Sequence, residues 1–200
     1  AFRALIATYR GQREQSIELS ERALELLPQD NLFFRSFTAG FLGLNYLYSG
    51  DVEDGMRAFR EAVRVSDRTG NVTIGVLARC HLAELAGLQG YLRETERLYK
   101  EALRVGTDDR GQRRPVAGIA LIGMGNLLWE WNKLDAATDY LTQGIELGNQ
   151  WGEAGVMKGY TGLARIRQAQ GDADGARKAA QKAQQIAADF DAMQVDDIGM

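Results

Sequence analysis

The sequence has one cysteine, one histidine and two prolines, and this scarcity excludes several classes of protein. One cysteine forms no internal disulfide, and Cys80 with His81 supplies too few ligands for a zinc finger. The formal net charge of −3 lacks the basic excess of a nucleic-acid-binding domain. One of the two longest uncharged runs, 115–129, is shorter than the roughly 20 apolar residues of a membrane span, and the other, 36–50, has the same length. We therefore expect no metal, no cofactor, no direct nucleic-acid contact and no membrane contact.

The lone cysteine also fits a reducing compartment, and no charged segment followed by an apolar one opens the chain as a secretory signal would. We therefore expect a cytoplasmic location.

Glycine, in contrast, is abundant, with 23 glycines in a chain whose other residues favour helix. Several of these glycines recur at a regular interval, each just before a helical stretch. The intervals between the turn residues are 39, 40, 42 and 39 residues, and the turn residues are Gly11, Gly50, Gly90, Asn132 and Gly171. Such a period predicts a repeat protein with turns near these five positions.

Within each period the apolar residues follow helical spacing, as Val52, Met56, Phe59 and Val63 do in the second unit. The stretches before the turns are also helix-forming. They cover residues 37–49, 76–89, 116–131 and 155–170. Each period is therefore predicted to be a helix hairpin.

The segments at the helix ends carry local signals of their own. Gly50 and Gly171 are suited to a left-handed helix end, and Asp51 and Asp172 to helix N-caps that accept from free backbone amides. Pro115 is predicted in the first turn of a helix. The last helix is expected to run from 172 to about 191, with a frayed tail over 193–200.

The second unit resembles the tetratricopeptide (TPR) pattern at its internal spacings, through Leu42, Gly43, Tyr46, Gly50, Phe59 and Ala62. Small residues recur at one first-helix position in all five units, where the helices of a hairpin approach closely. They are Ala4, Gly43, Ala83, Gly125 and Ala164. The period exceeds the roughly 34 residues usual for this repeat, so the repeats are elongated.

Four further segments make the chain similar to the MalT-like TPR region of large LuxR-type transcriptional regulators: 129–137, 144–148, 151–152 and 169–172. The resemblance covers nearly the whole chain. It implies an all-α, right-handed superhelical solenoid of about five elongated hairpins, with residues 1–200 as one domain. In that family the region lies between an ATPase module and a helix-turn-helix module, and it receives an effector or a partner. We expect this chain to be such a domain without those flanks, and it contains no phosphate-binding G-x-x-x-x-G-K-[ST] loop.

Stacked hairpins present an extended concave surface that binds ligands or partners. We transfer to this sequence the first-helix positions that line the groove in TPR proteins. The residues selected change from apolar in the second unit to polar in the fifth. This set contains Phe37, Gly40, Leu44, Leu47, Tyr48, Leu77, Cys80, Glu84, Gly87, Leu88, Ile119, Ile122, Asn126, Trp129, Glu130, Lys158, Thr161, Arg165, Gln168 and Ala169. We predict that the binding residues are Tyr48, Glu84, Asn126, Trp129 and Arg165.

Each of these residues has a structural alternative. Trp129 would also serve as core between hairpins, and Glu84 and Arg165 as solvated surface charges. Asn126 interrupts the most apolar helix, so it needs a hydrogen-bond partner if buried and is a natural ligand contact if it lines the groove. His81 is interpreted as a packed histidine, and the sequence offers no base and orienting group for a nucleophile, so no enzyme is predicted.

Two function classes follow. The first is the sensor or interaction domain of a LuxR-type regulator, and the alternative is a free-standing TPR scaffold that binds peptides or partner proteins. A homodimer through exposed terminal repeats is a further expectation.

Overall fold

A computed structural model describes residues 1–150 and 153–196, and these residues are mostly helical. The only β feature among them is one isolated bridge between Thr107 and Arg113. The predicted all-α class is therefore confirmed. In chain order the helices are α1 (Phe2–Tyr9), α2 (Arg13–Leu26), α3 (Leu32–Ser49), α4 (Val52–Thr69), α5 (Val72–Leu88), α6 (Leu92–Val105), α7 (Ala117–Glu130), α8 (Leu134–Gly148), a 3₁₀ helix (Glu153–Val156), α9 (Met157–Ala169) and α10 (Ala173–Asp196).

All five predicted turn residues lie between consecutive helices in a left-handed backbone conformation. Their φ angles are 68° at Gly11, 89° at Gly50, 82° at Gly90, 56° at Asn132 and 80° at Gly171. Glycine adopts this conformation without strain, and asparagine tolerates it better than other residues do. The periodic glycines therefore mark the points at which a first helix ends and its second helix begins.

The predicted helix caps are partly wrong. Asp172 Oδ1 accepts a hydrogen bond from the amide of Gly175 at 2.9 Å, as expected. Asp51 occupies the N-cap position of α4, but its side chain makes no capping bond. Asp51 is exposed, and water can satisfy free amides at such a helix end. Pro115 lies before α7 rather than in its first turn, because α7 begins at Ala117.

The boundaries of three helices also differ from the prediction. Helix α3 begins at Leu32 and α5 at Val72, several residues before the predicted starts. The early start of α5 has a local cause, since Asn71 Oδ1 accepts from the amide of Ile74 at 3.3 Å. The predicted frayed tail is helical as far as Asp196, and residues 197–200 lie outside the described part of the chain.

The chain divides into two units, residues 1–91 and residues 92–200. The prediction that residues 1–200 form one domain stays a prediction. In the first unit, α3 packs closely on α4 at Gly43, where a Cβ atom would lie 2.7 Å from the Phe59 ring. Asn45 is buried beside them, and its Nδ2 donates to Thr8 Oγ1, Ser16 Oγ and the carbonyl of Phe41. This polar network ties α3 to the first hairpin.

In the second unit, glycines bring the backbones of α7 and α8 into direct contact. A Cβ atom at Gly118 would lie 2.6 Å from the backbone nitrogen of Gly148, and one at Gly125 would lie 2.7 Å from Leu141. The ring of Tyr99 on α6 covers Gly123 in the same way. The high glycine content therefore has two causes, left-handed turns and close helix packing.

Among residues 1–150 and 153–196, no helix is both long enough and apolar enough to cross a lipid bilayer.

Candidate functional site

Charge is distributed unequally between the two helices of a hairpin. The second helices carry exposed ion pairs along their own surface, such as Arg64–Glu61 on α4 and Lys100–Glu96 on α6. By contrast, α3 contains one charged residue, Arg35, and α7 contains one, Glu130. A ligand on α3 or α7 therefore meets few charged groups, whereas α9 carries Lys158, Arg165 and Arg167.

Tyr48, the first of the five predicted binding residues, lies at the end of α3 and is 62% exposed. The guanidinium carbon of Arg13 lies 5.8 Å from the centroid of its ring. This cation–π contact comes from the start of α2, so Tyr48 presents part of its ring to solvent and rests on the preceding hairpin.

Glu84 lies on α5 and is half-buried. Its Oε2 lies 3.5 Å from Nδ1 of His81, one turn earlier on the same helix. The His81 ring stacks on Phe59, with 5.0 Å between ring centroids. His81 is therefore packed in the fold as the sequence indicates, and Glu84 lies beside it.

Asn126 lies near the end of α7 and is half-buried. A Cβ atom at Gly162 of α9 would lie 2.6 Å from Asn126 Oδ1, so a larger residue there would displace this carboxamide. No hydrogen bond joins the carboxamide to any other residue in the part of the chain that the structure describes. Asn126 therefore retains its hydrogen-bonding capacity for a ligand or for water.

Trp129 and Arg165 form a contact between α7 and α9. The guanidinium carbon of Arg165 lies 5.1 Å from the centroid of a half-buried Trp129 ring. Arg165 Nη2 also lies 3.4 Å from Oε1 of Glu130. The structure therefore brings Asn126, Trp129 and Arg165 together on two first helices of successive hairpins, with Glu130 beside them.

Two positions of the predicted groove do not line a surface. Cys80 is 1% exposed and Ile122 is 2% exposed, so both belong to the core. Ile122 fills the space that Gly144 and Gly159 leave between α8 and α9. The TPR spacing selects a helix face, but it cannot identify which residues of that face are covered by small residues on neighbouring helices.

Two residues of the site are missing from the five chosen from the sequence. Glu130 is among the predicted groove positions, and its place next to Trp129 in the sequence could have identified it as a site residue. Gly162 lies on α9, and its specific contact with Asn126 has no sequence signature.

Within the described residues, no group of three or more His, Cys, Asp or Glu side chains could hold a metal ion. Cys80 is buried, and its neighbour His81 is stacked on Phe59.

The helix hairpins and the first-helix cluster can be compared with known proteins. The sequence profile described as the MalT-like TPR region matches residues 1–200. The chain belongs to this family.

Curated relatives of this chain are transcriptional regulators. The HTH-type transcriptional regulator MalT of Yersinia enterocolitica serotype O:8 / biotype 1B is 22% identical over 186 residues, covering 93% of this chain and 21% of the relative. MalT of Serratia proteamaculans is 22% identical over 176 residues, covering 88% of this chain and 20% of the relative. The chain thus spans about a fifth of the length of these relatives.

Solved structures with the same fold are TPR-like repeat proteins of low sequence identity. A Rap protein complexed with Competence and Sporulation Factor superimposes with a TM-score of 0.75 at 14% identity, covering 97% of this chain and 55% of that protein. BtubC (BKLC) from P. vanneervenii gives a TM-score of 0.69 at 17% identity, covering 94% of this chain and 78% of that protein. These similarities show the TPR-like helical repeat fold.

Proposed function

We propose that this chain is the effector- or partner-binding sensor region of a LuxR-type transcriptional regulator. The observation that carries the proposal is the cluster of Asn126, Trp129 and Arg165 on α7 and α9. An aromatic ring with a few polar groups on a largely apolar helix face is the general composition of a ligand site. The curated MalT relatives support the regulatory role. In this proposal the protein acts in the cytoplasm, and a module outside this segment contacts DNA.

The position of the cluster suggests how binding is transmitted. Because α7 and α9 belong to successive hairpins, a ligand that contacts Trp129 and Arg165 together favours one angle between those hairpins. A ligand shifts an equilibrium only if it binds the two arrangements with different affinity. A site formed by two hairpins has a different affinity for the ligand at each angle between those hairpins.

A free-standing scaffold for peptides or partner proteins is the second candidate. The Rap protein complexed with Competence and Sporulation Factor supports it, since that protein of the same fold carries a bound factor. Tyr48 and Glu84 would then be partner contacts on the first unit. Phe2 and Ile6 of α1, 67% and 50% exposed, are the apolar side chains on which a homodimer through a terminal repeat would depend.

A thermal-shift screen of the purified chain tests the proposal, because a ligand that binds only the folded state raises its melting temperature. The screen covers sugars, nucleotides, amino acids and short peptides. Stabilisation by a small molecule supports the sensor, and stabilisation by peptides alone supports the scaffold. Stabilisation that is unchanged in a folded Trp129→Ala variant contradicts the proposed site.

A further inference from the structure

The ion pair of Arg165 with Glu130 differs from the pairs on the second helices. Its N–O distance is 3.4 Å, and the two side chains are 51% and 57% exposed. The pairs Arg64–Glu61 on α4 and Arg97–Glu94 on α6 each have a distance of 2.6 Å. An exposed pair at the longer distance contributes little to stability. Glu130 is therefore a weak partner that another anion can replace.

Asn126 adds hydrogen-bond donors one helical turn before Trp129, the residue that Arg165 contacts. Its Oδ1 end packs against Gly162, so its Nδ2 group is the end with hydrogen atoms to donate. Like this Nδ2 group, the Arg165 guanidinium donates hydrogen bonds and accepts none. Donor groups on both α7 and α9 favour an oxygen-rich acceptor on the ligand.

The surface of α7 beside Asn126 is uncharged except for Glu130. Ile119 and Trp129 flank Asn126 at helical spacing on the same face of α7, and both are half-buried. Such a surface suits the apolar or aromatic part of a ligand. One guanidinium with a carboxylate beside it suits a singly charged anion better than a phosphate dianion, which Glu130 would repel more strongly.

We propose that the effector is an organic acid, and that its carboxylate replaces Glu130 on Arg165. In the bound state the carboxylate also accepts a hydrogen bond from Asn126, and the uncharged part of the ligand packs against Trp129. Glu130 acts as an internal competitor that occupies Arg165 while the site is empty. The inference rests on the proposed function, since it names the ligand class of the same site. A small carboxylic acid and the free C-terminus of a peptide both supply such a carboxylate.

The experiment compares acids with their primary amides. One arm uses N-acetylated tripeptides with a free C-terminus and the same peptides with a C-terminal amide. The other arm uses aliphatic and aromatic monocarboxylic acids and their amides. Affinity is measured by calorimetric titration of the whole chain. We expect acids to bind in one arm, which identifies the source, and amidation to weaken binding by at least about tenfold.

Two variants separate this inference from a structural effect. Arg165→Gln should weaken acid binding about as much as amidation does, whereas Glu130→Gln should tighten it several-fold by removing the competitor. A variant that merely disturbed the fold would not tighten binding. Circular dichroism and the melting temperature confirm that both variants are folded.

Three outcomes overturn the inference: amides that bind as tightly as acids, a Glu130→Gln variant that fails to tighten acid binding, or no acid bound at millimolar concentration. If a neutral ligand binds and Trp129→Ala abolishes its binding, the proposed function stands and the carboxylate assignment fails.

Discussion

Gly40 and Gly43 lie on the same helix, α3, and differ in what a methyl group would meet. A Cβ atom at Gly43 would lie 2.7 Å from the buried Phe59 ring, whereas one at Gly40 would lie 3.4 Å from Ile74. We expect Gly43→Ala to lower the free energy of unfolding by about 1–3 kcal/mol through overpacking. Gly40→Ala should raise it by up to about 1 kcal/mol, because alanine favours helix.

Urea unfolding of the two single variants provides the comparison. Equal effects of the two substitutions would show that Phe59 does not pack against Gly43 as described.

Tyr46 donates a hydrogen bond to Glu21, and its pKa is raised from 10.0 to about 12 by burial first and by the Glu21 carboxylate second. In the unfolded chain this tyrosine ionises near 10.0, so the unfolded state loses the proton first as the pH rises. The stabilising contribution of the protonated phenol is therefore complete below pH 10 and is lost as the pH approaches 12. We expect the melting temperature of Tyr46→Phe to fall less steeply over this window than that of the natural sequence.

Because the chain has seven tyrosines, the pKa of Tyr46 is obtained from the difference between the tyrosinate absorbance titrations of the natural sequence and of Tyr46→Phe. In Glu21→Gln, the pKa of Tyr46 should move toward its ordinary value without reaching it, since burial remains. If the tyrosinate titration of Glu21→Gln matches that of the natural sequence, the hydrogen bond between Tyr46 and Glu21 is excluded.

At the residue scale, the sequence indicates which side chains are chemically conspicuous but not which ones meet. The interruption of an apolar helix singles out Asn126, and the structure adds its contact with Gly162. The partner of Trp129 is Arg165, 36 positions further along the chain. Only the stacking of successive hairpins creates such a contact, so helical spacing within one unit does not reveal it.

At the scale of elements, Asn132 is the one turn residue of the five that is not glycine, with a φ of 56°. We expect Asn132→Gly to change the free energy of unfolding by no more than about 1 kcal/mol, because both residues tolerate the left-handed region. Asn132→Val should lower it by about 1–2 kcal/mol, because a β-branched side chain is strained there. Chemical unfolding of the two variants checks the prediction, and a valine variant as stable as the glycine variant would contradict it.

The hairpins are predictable because their information is local. Left-handed residues at a fixed period and helical apolar spacing are properties of short segments, and the structure places helices on both sides of every predicted turn. Helix ends are less predictable, since a capping side chain competes with water. Asp172 caps its helix and Asp51 does not, although both follow a turn glycine.

At the scale of the whole molecule, charged residues are spread unevenly over the helices. The second helices α4 and α6 carry ion pairs along their own surface, whereas α3 and α7 carry one charged residue each. The family and the repeat fold follow from sequence patterns, as the profile match over residues 1–200 shows. The identity of the ligand does not follow from these patterns, because it depends on a few side chains and not on the repeat as a whole.

The most direct test of the binding face compares two neighbouring tryptophans. Trp129 contacts Arg165, whereas Trp131 follows α7 at the turn and contacts Lys133, whose Nζ lies 5.3 Å from the ring centroid. The measurement is the affinity of Trp129→Ala and Trp131→Ala for a ligand that stabilises the natural sequence, with circular dichroism as the control for folding. We predict that Trp129→Ala loses at least about tenfold in affinity and that Trp131→Ala keeps it. Unchanged affinity in a folded Trp129→Ala, or an equal loss in Trp131→Ala, would contradict the assignment of this face as the binding site.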